Sequence, residues 1–242
     1  SQFFTYAGSV DDIEYVETGY KTDDNPPTEG WKKYTDRMRF FGNDKHYWLK
    51  LHFKTPSVTK HQYVALTTAT GYEGERDTIN PQCMVFIDGK IVQALDTNHS
   101  LVRLEPDREY QIFIYYYMGS DHDACEFRMW LSYIDETVEQ LYYDMFVPFQ
   151  ACRDVYTENS YEFANTVKVL EQACNMLDLN YPYTEAYYDR ICQAGKFLKE
   201  EYYEKECGKS DSITSYVGHT HIDIAWQWTI AQTKEKVQRS FS

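Results

Sequence analysis

The chain has 242 residues, enough for one large domain or two modest ones, each able to bury its own core. Its formal net charge of -14, from 24 Lys and Arg against 38 Asp and Glu, argues against a nucleic-acid partner, because phosphate binding needs clustered cations. Aromatic residues make up 17%, with 23 Tyr and 13 Phe; such rings suit the faces of a β-sandwich or a carbohydrate-contacting surface, and most read as strand-rich core.

The first thirty residues carry no clear period, and Asp23-Asp24-Asn25-Pro26-Pro27 reads as a loop, since paired prolines deny ladder hydrogen bonds. From about Tyr34 to Ile134 the pattern is that of strands. In the run Tyr47 to Lys54, Tyr47, Leu49, Leu51 and Phe53 fall on one face, which predicts a half-buried strand. Met84 to Ile87 and Ile91-Val92 flank Asp88-Gly89-Lys90, and the Asp-Gly pair supplies the positive φ of a tight hairpin turn. Tyr110 to Tyr117 and Glu126 to Ile134 are two further β-rich runs, separated by the turn-like segment Met118 to Asp123. Strands at this spacing predict a β-sandwich.

After Asp135 the period becomes helical. Val138, Leu141, Tyr142, Met145, Phe149 and Cys152 share one face, with Asp135 and Glu136 at the positive end and Pro148 predicting a kink or two abutting helices near Val147. Ser160 can cap a second helix with Phe163, Val167, Leu170, Cys174 and Leu177 inward. Thr184 can cap a third, with Tyr187, Ile191, Ala194, Leu198 and Tyr202 inward. A polar linker at 208–212 precedes a predicted short strand, Ile213 to Val217, and residues 229–241 are good helix formers. The fold class expected is α+β multidomain: a β-sandwich over residues 1–135, of jelly-roll or galactose-binding-like kind, a helical connector over 136–211, and the first strand and helix of an incomplete α/β domain over 212–242.

Gly218-His219-Thr220-His221-Ile222-Asp223-Ile224-Ala225-Trp226 is the stretch hardest to explain as structure alone. In extended geometry residues two apart point the same way, so His219, His221 and Asp223 can converge. Imidazole and carboxylate are ligands for a divalent ion, most plausibly zinc, which takes three or four protein ligands. The plainer alternative is a set of satisfied polar residues at a strand end.

The run from Val217 to Lys236, with its Trp226-Gln227-Trp228 and Gln232-Thr233-Lys234-Glu235-Lys236, together with Arg239-Ser240-Phe241, resembles the first strand and helix of glycoside hydrolase family 38, in its bacterial and cytosolic branch of α-mannosidases. The resemblance covers about an eighth of the chain. It implies that His221 and Asp223 are two zinc ligands, that Trp226 packs on bound mannose, and that His219 is not a ligand. It also implies that the catalytic carboxylates and remaining ligands lie downstream, so that no catalytic residue and only an incomplete Zn2+ site belong to this chain. The full-length protein is then expected to be a retaining exo-α-mannosidase acting on mannose-containing oligosaccharides, and a homo-oligomer, with the chain itself inactive.

Two other readings stand beside it. In amidohydrolase-type barrels a His-x-His ends the first strand, which would make His219 and His221 the ligands. Alternatively, the sandwich is a non-catalytic carbohydrate-binding or assembly module. The six cysteines, Cys83, Cys125, Cys152, Cys174, Cys192 and Cys207, lack zinc-knuckle spacing and read as free, mostly buried thiols. No leader-like segment and no apolar run of about 20 residues is found, so a cytoplasmic protein with no membrane partner is expected. Asn98-His99-Ser100 is a glycosylation sequon that matters only on a secreted protein.

Overall fold

The computed structural model describes residues 3–35, 38–40, 44–69, 82–96, 98–119, 125–206, 213, 215–226 and 228–241. The chain divides into two compact units. One comprises Phe4–Thr59, Tyr63–Tyr133 and Gly218–Ser242; the other comprises Ser1–Phe3, Lys60–Gln62 and Ile134–Val217.

The strands are β1 (Phe4–Ser9), β2 (Asp12–Thr18), β3 (Lys32–Lys33), β4 (Arg39–Phe40), β5 (Lys45–Lys54), β6 (Gln62–Ala69), β7 (Gln82–Ile87), β8 (Lys90–Leu95), β9 (Leu101–Leu104), β10 (Glu109–Met118), β11 (Cys125–Glu126) and β12 (Arg128–Asp135). They form a four-stranded sheet in the order β1-β12-β6-β9 and a six-stranded sheet in the order β3-β2-β5-β10-β7-β8, with β11 and β4 as a separate pair. Strands β1 and β2 occupy part of the N-terminal stretch in which the sequence showed no period.

Period-two alternation explains why the sheets stack. On β5, Tyr47, Leu49, Leu51 and Phe53 face a buried core shared with Ile112, Ile114 and Tyr116 of β10, Val64 and Leu66 of β6, Val102 and Leu104 of β9, and Leu131 of β12. Antiparallel register sets Leu51 opposite Ile112 and Leu49 opposite Ile114. The two sheets are thus the layers of a β-sandwich. The opposite face of β5 departs from the half-buried expectation. Trp48 is only 2% exposed and packs with Val16, Met84, Phe86 and Tyr115 in a second cluster, against which Trp31 also lies. The six-stranded sheet is therefore buried on both sides at its centre.

The predicted hairpin is β7–β8, turning at Asp88 (φ 52°) and Gly89 (φ 74°). Two consecutive positive φ values are what a type I′ turn requires. The turn expected at 118–123 falls outside the described residues from 120 onward.

In the second unit, α1 (Glu136–Val155), α2 (Tyr161–Asn175) and α3 (Glu185–Leu198) pack together, α3 running on through the π-helical turn Lys199–Tyr203 into α4 (Glu204–Glu206). Each of the first three starts at a side-chain cap: Asp135 accepts from the Val138 amide at 3.1 Å, Ser160 from Phe163 at 3.1 Å, and Thr184 from Tyr187 at 3.3 Å. Helix α1 is continuous through Pro148 where two helices were an option. Its buried face is Leu141, Pro148 and Cys152, while Tyr142 and Phe149, expected inside, are 43% and 39% exposed. On α2 the buried residues are Thr166, Val169, Leu170 and Ala173, so only Leu170 of the expected face is buried fully. Helix α3 keeps Tyr187, Ile191, Ala194 and Leu198 inside, as its spacing predicted. Cys83 and Cys152 are buried and Cys174 and Cys192 exposed. Among the described residues no helix is long and apolar enough to cross a membrane.

Candidate functional site

The segment holding His219 to Trp228 belongs to the same compact unit as the sandwich. The predicted strand before it does not form: Ile213 and residues 215–217 make no strand, and Ile213, Tyr216 and Val217 are 94%, 94% and 84% exposed. Without a neighbouring strand, an isolated apolar run has no ladder to join. The predicted helix does form, as α5 (Ile230–Ser240), behind a full capping box. Thr229 Oγ1 accepts from the Gln232 amide at 3.2 Å, and Gln232 Oε1 accepts from the Thr229 amide at 2.7 Å.

Helix α5 packs on the strands of its own unit: Thr233 and Glu235 are buried, Glu235 accepts from the Tyr115 hydroxyl of β10 at 2.7 Å, Gln238 donates to Asp24 at 3.1 Å, and Arg239 donates to Gln82. In the preceding loop Ile224 is 76% exposed while Ile222 is half-buried, and Ile230 at the start of α5 is 62% exposed.

His221 and Asp223 come together, Nε2 lying 2.9 Å from Oδ1. Their side chains are 80% and 46% exposed, so as an ion pair they are screened by water. Binding a metal requires the Nε2 lone pair, which a proton shared with Asp223 would block; a cation entering between them would move that proton to Nδ1 or release it. The donor set fits two positions of a zinc shell. Among the described residues no third His, Cys, Asp or Glu completes a cluster able to hold a metal, and His219 is exposed with no bond to either.

Trp226 is 63% exposed and meets Trp228 edge to face, centroids 5.5 Å apart at 88°. Trp228 is the pinned member of the pair. Its indole N–H donates to the Asp223 carbonyl at 3.1 Å, and the Lys236 ammonium stands 4.2 Å over its ring. One ring is thus held and the other left open to solvent. Just before Trp226 the chain bends at Ala225, whose φ is 55° and whose amide donates to Thr233 Oγ1 at 3.3 Å.

Residues 212–242 match the family description "Glycosyl hydrolases family 38 N-terminal domain". That is the segment containing the His221–Asp223 pair. Over 47 residues the chain is 40% identical to α-mannosidase G of Dictyostelium discoideum, a match spanning 19% of this chain and 4% of that protein. The two matches thus liken the last part of the chain to family 38 sequences, and the chain spans only a small part of the relative's length.

Sequence reasoning missed the surroundings of this segment. A cleft of about 550 Å³ is lined by Thr220, His221, Ile222 and Trp228 on one side and by Gln93, Asp96 and His99 on the other. Asp96 and His99 form their own pair, Nδ1 to Oδ1 at 3.0 Å. More than a hundred residues separate the two sides, and nothing in a local pattern announces such a juxtaposition.

Proposed function

We propose that the terminal segment of this chain supplies the first part of the active site of a zinc-dependent, retaining exo-α-mannosidase, with His221 and Asp223 as metal ligands and Trp226 as the platform for a terminal mannose. The observation that carries this reading is the coincidence of the family 38 match with a closely approached His221–Asp223 pair beside an open indole. Zinc, when bound, would supply a grip on adjacent sugar hydroxyls and favour a distorted ring. The chain's own residues orient and bind: Trp226 presents an apolar face to the C–H surface of the sugar, while the Trp228–Lys236 contact fixes the loop that carries it.

The family's nucleophilic and acid/base aspartates lie further along the sequence than this motif, so the 242-residue chain is expected to bind zinc weakly and to leave aryl α-mannosides intact. Cytoplasmic placement and a homo-oligomer of the full-length enzyme belong to the same proposal. The amidohydrolase-type alternative needs His219 beside His221, and here it is Asp223 that pairs with His221.

Zinc titration against a chromophoric chelator tests the ligand assignment. Asp223→Asn and His221→Ala are each expected to abolish competition for the metal, and His219→Ala to leave it unchanged. Loss with His219→Ala and retention with Asp223→Asn would turn the assignment toward the amidohydrolase reading. Turnover of 4-nitrophenyl α-mannoside by the chain would overturn the expectation that it is inactive.

A further inference from the structure

The sandwich carries a second cleft, away from the His221 segment. It measures about 560 Å³ and is formed where β1 turns into β2 and β12 begins. Its size lies within the roughly 300–1,000 Å³ typical of small-molecule sites. Its floor is apolar and fully ordered by the core: Val10, Ile13 and Phe127 are 6%, 4% and 0% exposed. Three aromatic rings, Tyr6, Tyr34 and Trp130, stand around that floor, and Ser9, Asp11 and Arg128 bring polar groups to the same space.

The state of each group bears on what fits. Tyr6 is 68% exposed, far more than a tyrosine kept for the core. Tyr34 is anchored, its hydroxyl donating to the Phe127 carbonyl, so its ring is a fixed wall. Asp11 is positioned by the Ser9 hydroxyl, which donates to Oδ2 at 2.5 Å. A carboxylate and a guanidinium beside flat, amphipathic rings match a ligand with one apolar face and an edge of hydroxyls, both accepting and donating. A pyranose has that shape. A purely apolar ligand would strip water from Asp11 and Arg128 without repaying them, and a polyanion is opposed by the net charge of -14.

We infer that this cleft is a glycan-binding subsite on the sandwich, separate from the His221 segment, in which Tyr6 and Trp130 stack on a sugar ring and Asp11 and Arg128 take its hydroxyls. The cleft itself stands on the geometry; the choice of mannose as its sugar rests on the glycosidase reading above. Such a subsite holds one part of an oligosaccharide and thereby raises the local concentration of its other residues. One competitor is a peptide added along β1, which is an edge strand of its sheet.

Two-dimensional NMR of the whole chain, titrated with methyl α-mannoside and methyl α-glucoside in the presence of a chelator, tests the inference through the Trp130 indole signal and the β1 amides. Saturable shifts at Trp130 are expected. Tyr6→Ala is expected to weaken binding about tenfold, one lost stacking face, and Asp11→Asn comparably, both with unchanged thermal melts, since both side chains are exposed. His221→Ala is expected to have no effect, which separates this site from the zinc-ligand assignment. Tyr6-dependent binding of the glucoside but not the mannoside would sustain the cleft and weaken the mannosidase reading. Absence of saturable binding by either sugar, binding that survives both cleft substitutions, or shifts confined to the outer amides of β1 would overturn it.

Discussion

The Tyr115 hydroxyl donates to Glu235 at 2.7 Å, joining the centre of the six-stranded sheet to the helix that follows the His221 segment. Glu235 is 7% exposed, and burial pushes its carboxyl above the ordinary value of 4.5, against the opposing pull of the Tyr115 hydroxyl, Arg239 and Lys21. A carboxyl raised in the folded state favours folding fully below its unfolded value and loses that contribution as pH rises through the folded one. The docking of α5 is therefore expected to weaken from about pH 4.5 upward, over the interval set by the raised value of Glu235. Glu235→Gln keeps an acceptor for Tyr115 and removes the ionisation. Hydrogen exchange of the α5 amides should then lose this part of its pH dependence and show stronger protection at neutral pH; a variant less protected than the parent at pH 7 would contradict the account.

The same hydroxyl lies 2.6 Å from His46 Nδ1 and accepts from the Lys21 amide at 3.3 Å. With Glu235 ionised, Tyr115 spends its only proton on the carboxylate, so His46 must donate from Nδ1. His46 Nε2 is then a buried lone pair with no hydrogen-bond partner among the described residues, 3.6 Å from Asp44. Burial lowers the His46 pKa from its ordinary 6.5, with Asp44 opposing, so the ring is expected to stay neutral at pH 7. Nitrogen-15 spectra should show His46 as the Nδ1–H tautomer at neutral pH. Protonating Glu235 lets it donate to the Tyr115 oxygen and frees that hydroxyl to donate to His46, which shifts the tautomer toward Nε2–H as pH falls.

Asp135 does two jobs in the helical unit. Its Oδ1 caps α1 and its Oδ2 accepts from the Tyr188 hydroxyl at 2.7 Å, while His61 stacks on Tyr188 at 3.6 Å between centroids. An exposed cap is worth about 0.5–2 kcal/mol, and leaving a buried hydroxyl unpaired adds about 1–3 kcal/mol. Asp135→Ala should therefore cost clearly more than Thr184→Ala, which removes a cap alone. Urea melts of the two variants check the ranking, and Asp135→Ala combined with Tyr188→Phe should recover part of the loss because no hydroxyl is then stranded.

These cases separate what the sequence could carry from what it could not. The Tyr47 to Phe53 alternation, the Asp88-Gly89 turn and the caps Asp135, Ser160 and Thr184 are local, and each appears in the fold where its chemistry puts it. The burial of Trp48 and Tyr115 on the other face of the sheet is not local: it depends on Lys21, Trp31 and a helix more than a hundred residues away. The same holds for α2, whose buried residues Thr166, Val169, Leu170 and Ala173 share only Leu170 with the face its spacing predicted. At the candidate site, His221 and Asp223 lie 2.9 Å apart without the extended strand from which the spacing argument started, and His219, at the same spacing, stays apart. Convergence of all three needs a strand, and residues 215–223 form none.

The bend at Ala225 offers the most direct control over the Trp226 platform. A non-glycine residue at φ 55° carries a left-handed conformation that costs about 1–2 kcal/mol, and the Ala225 amide bond to Thr233 Oγ1 helps hold it there. Ala225→Gly removes the steric penalty, although it also frees the unfolded chain, so the net gain should be about 0.5–1 kcal/mol. Thr233→Val keeps the shape and deletes the acceptor, which strands a half-buried amide and should cost about 1 kcal/mol. Opposite effects on the loop follow. Acrylamide quenching of tryptophan fluorescence should decrease for the pinned ring in Ala225→Gly and increase in Thr233→Val, with the helical circular dichroism of both unchanged because the Thr229–Gln232 capping box is untouched. Changes of the same sign in the two variants would mean that the Ala225–Thr233 contact does not hold the indole pair.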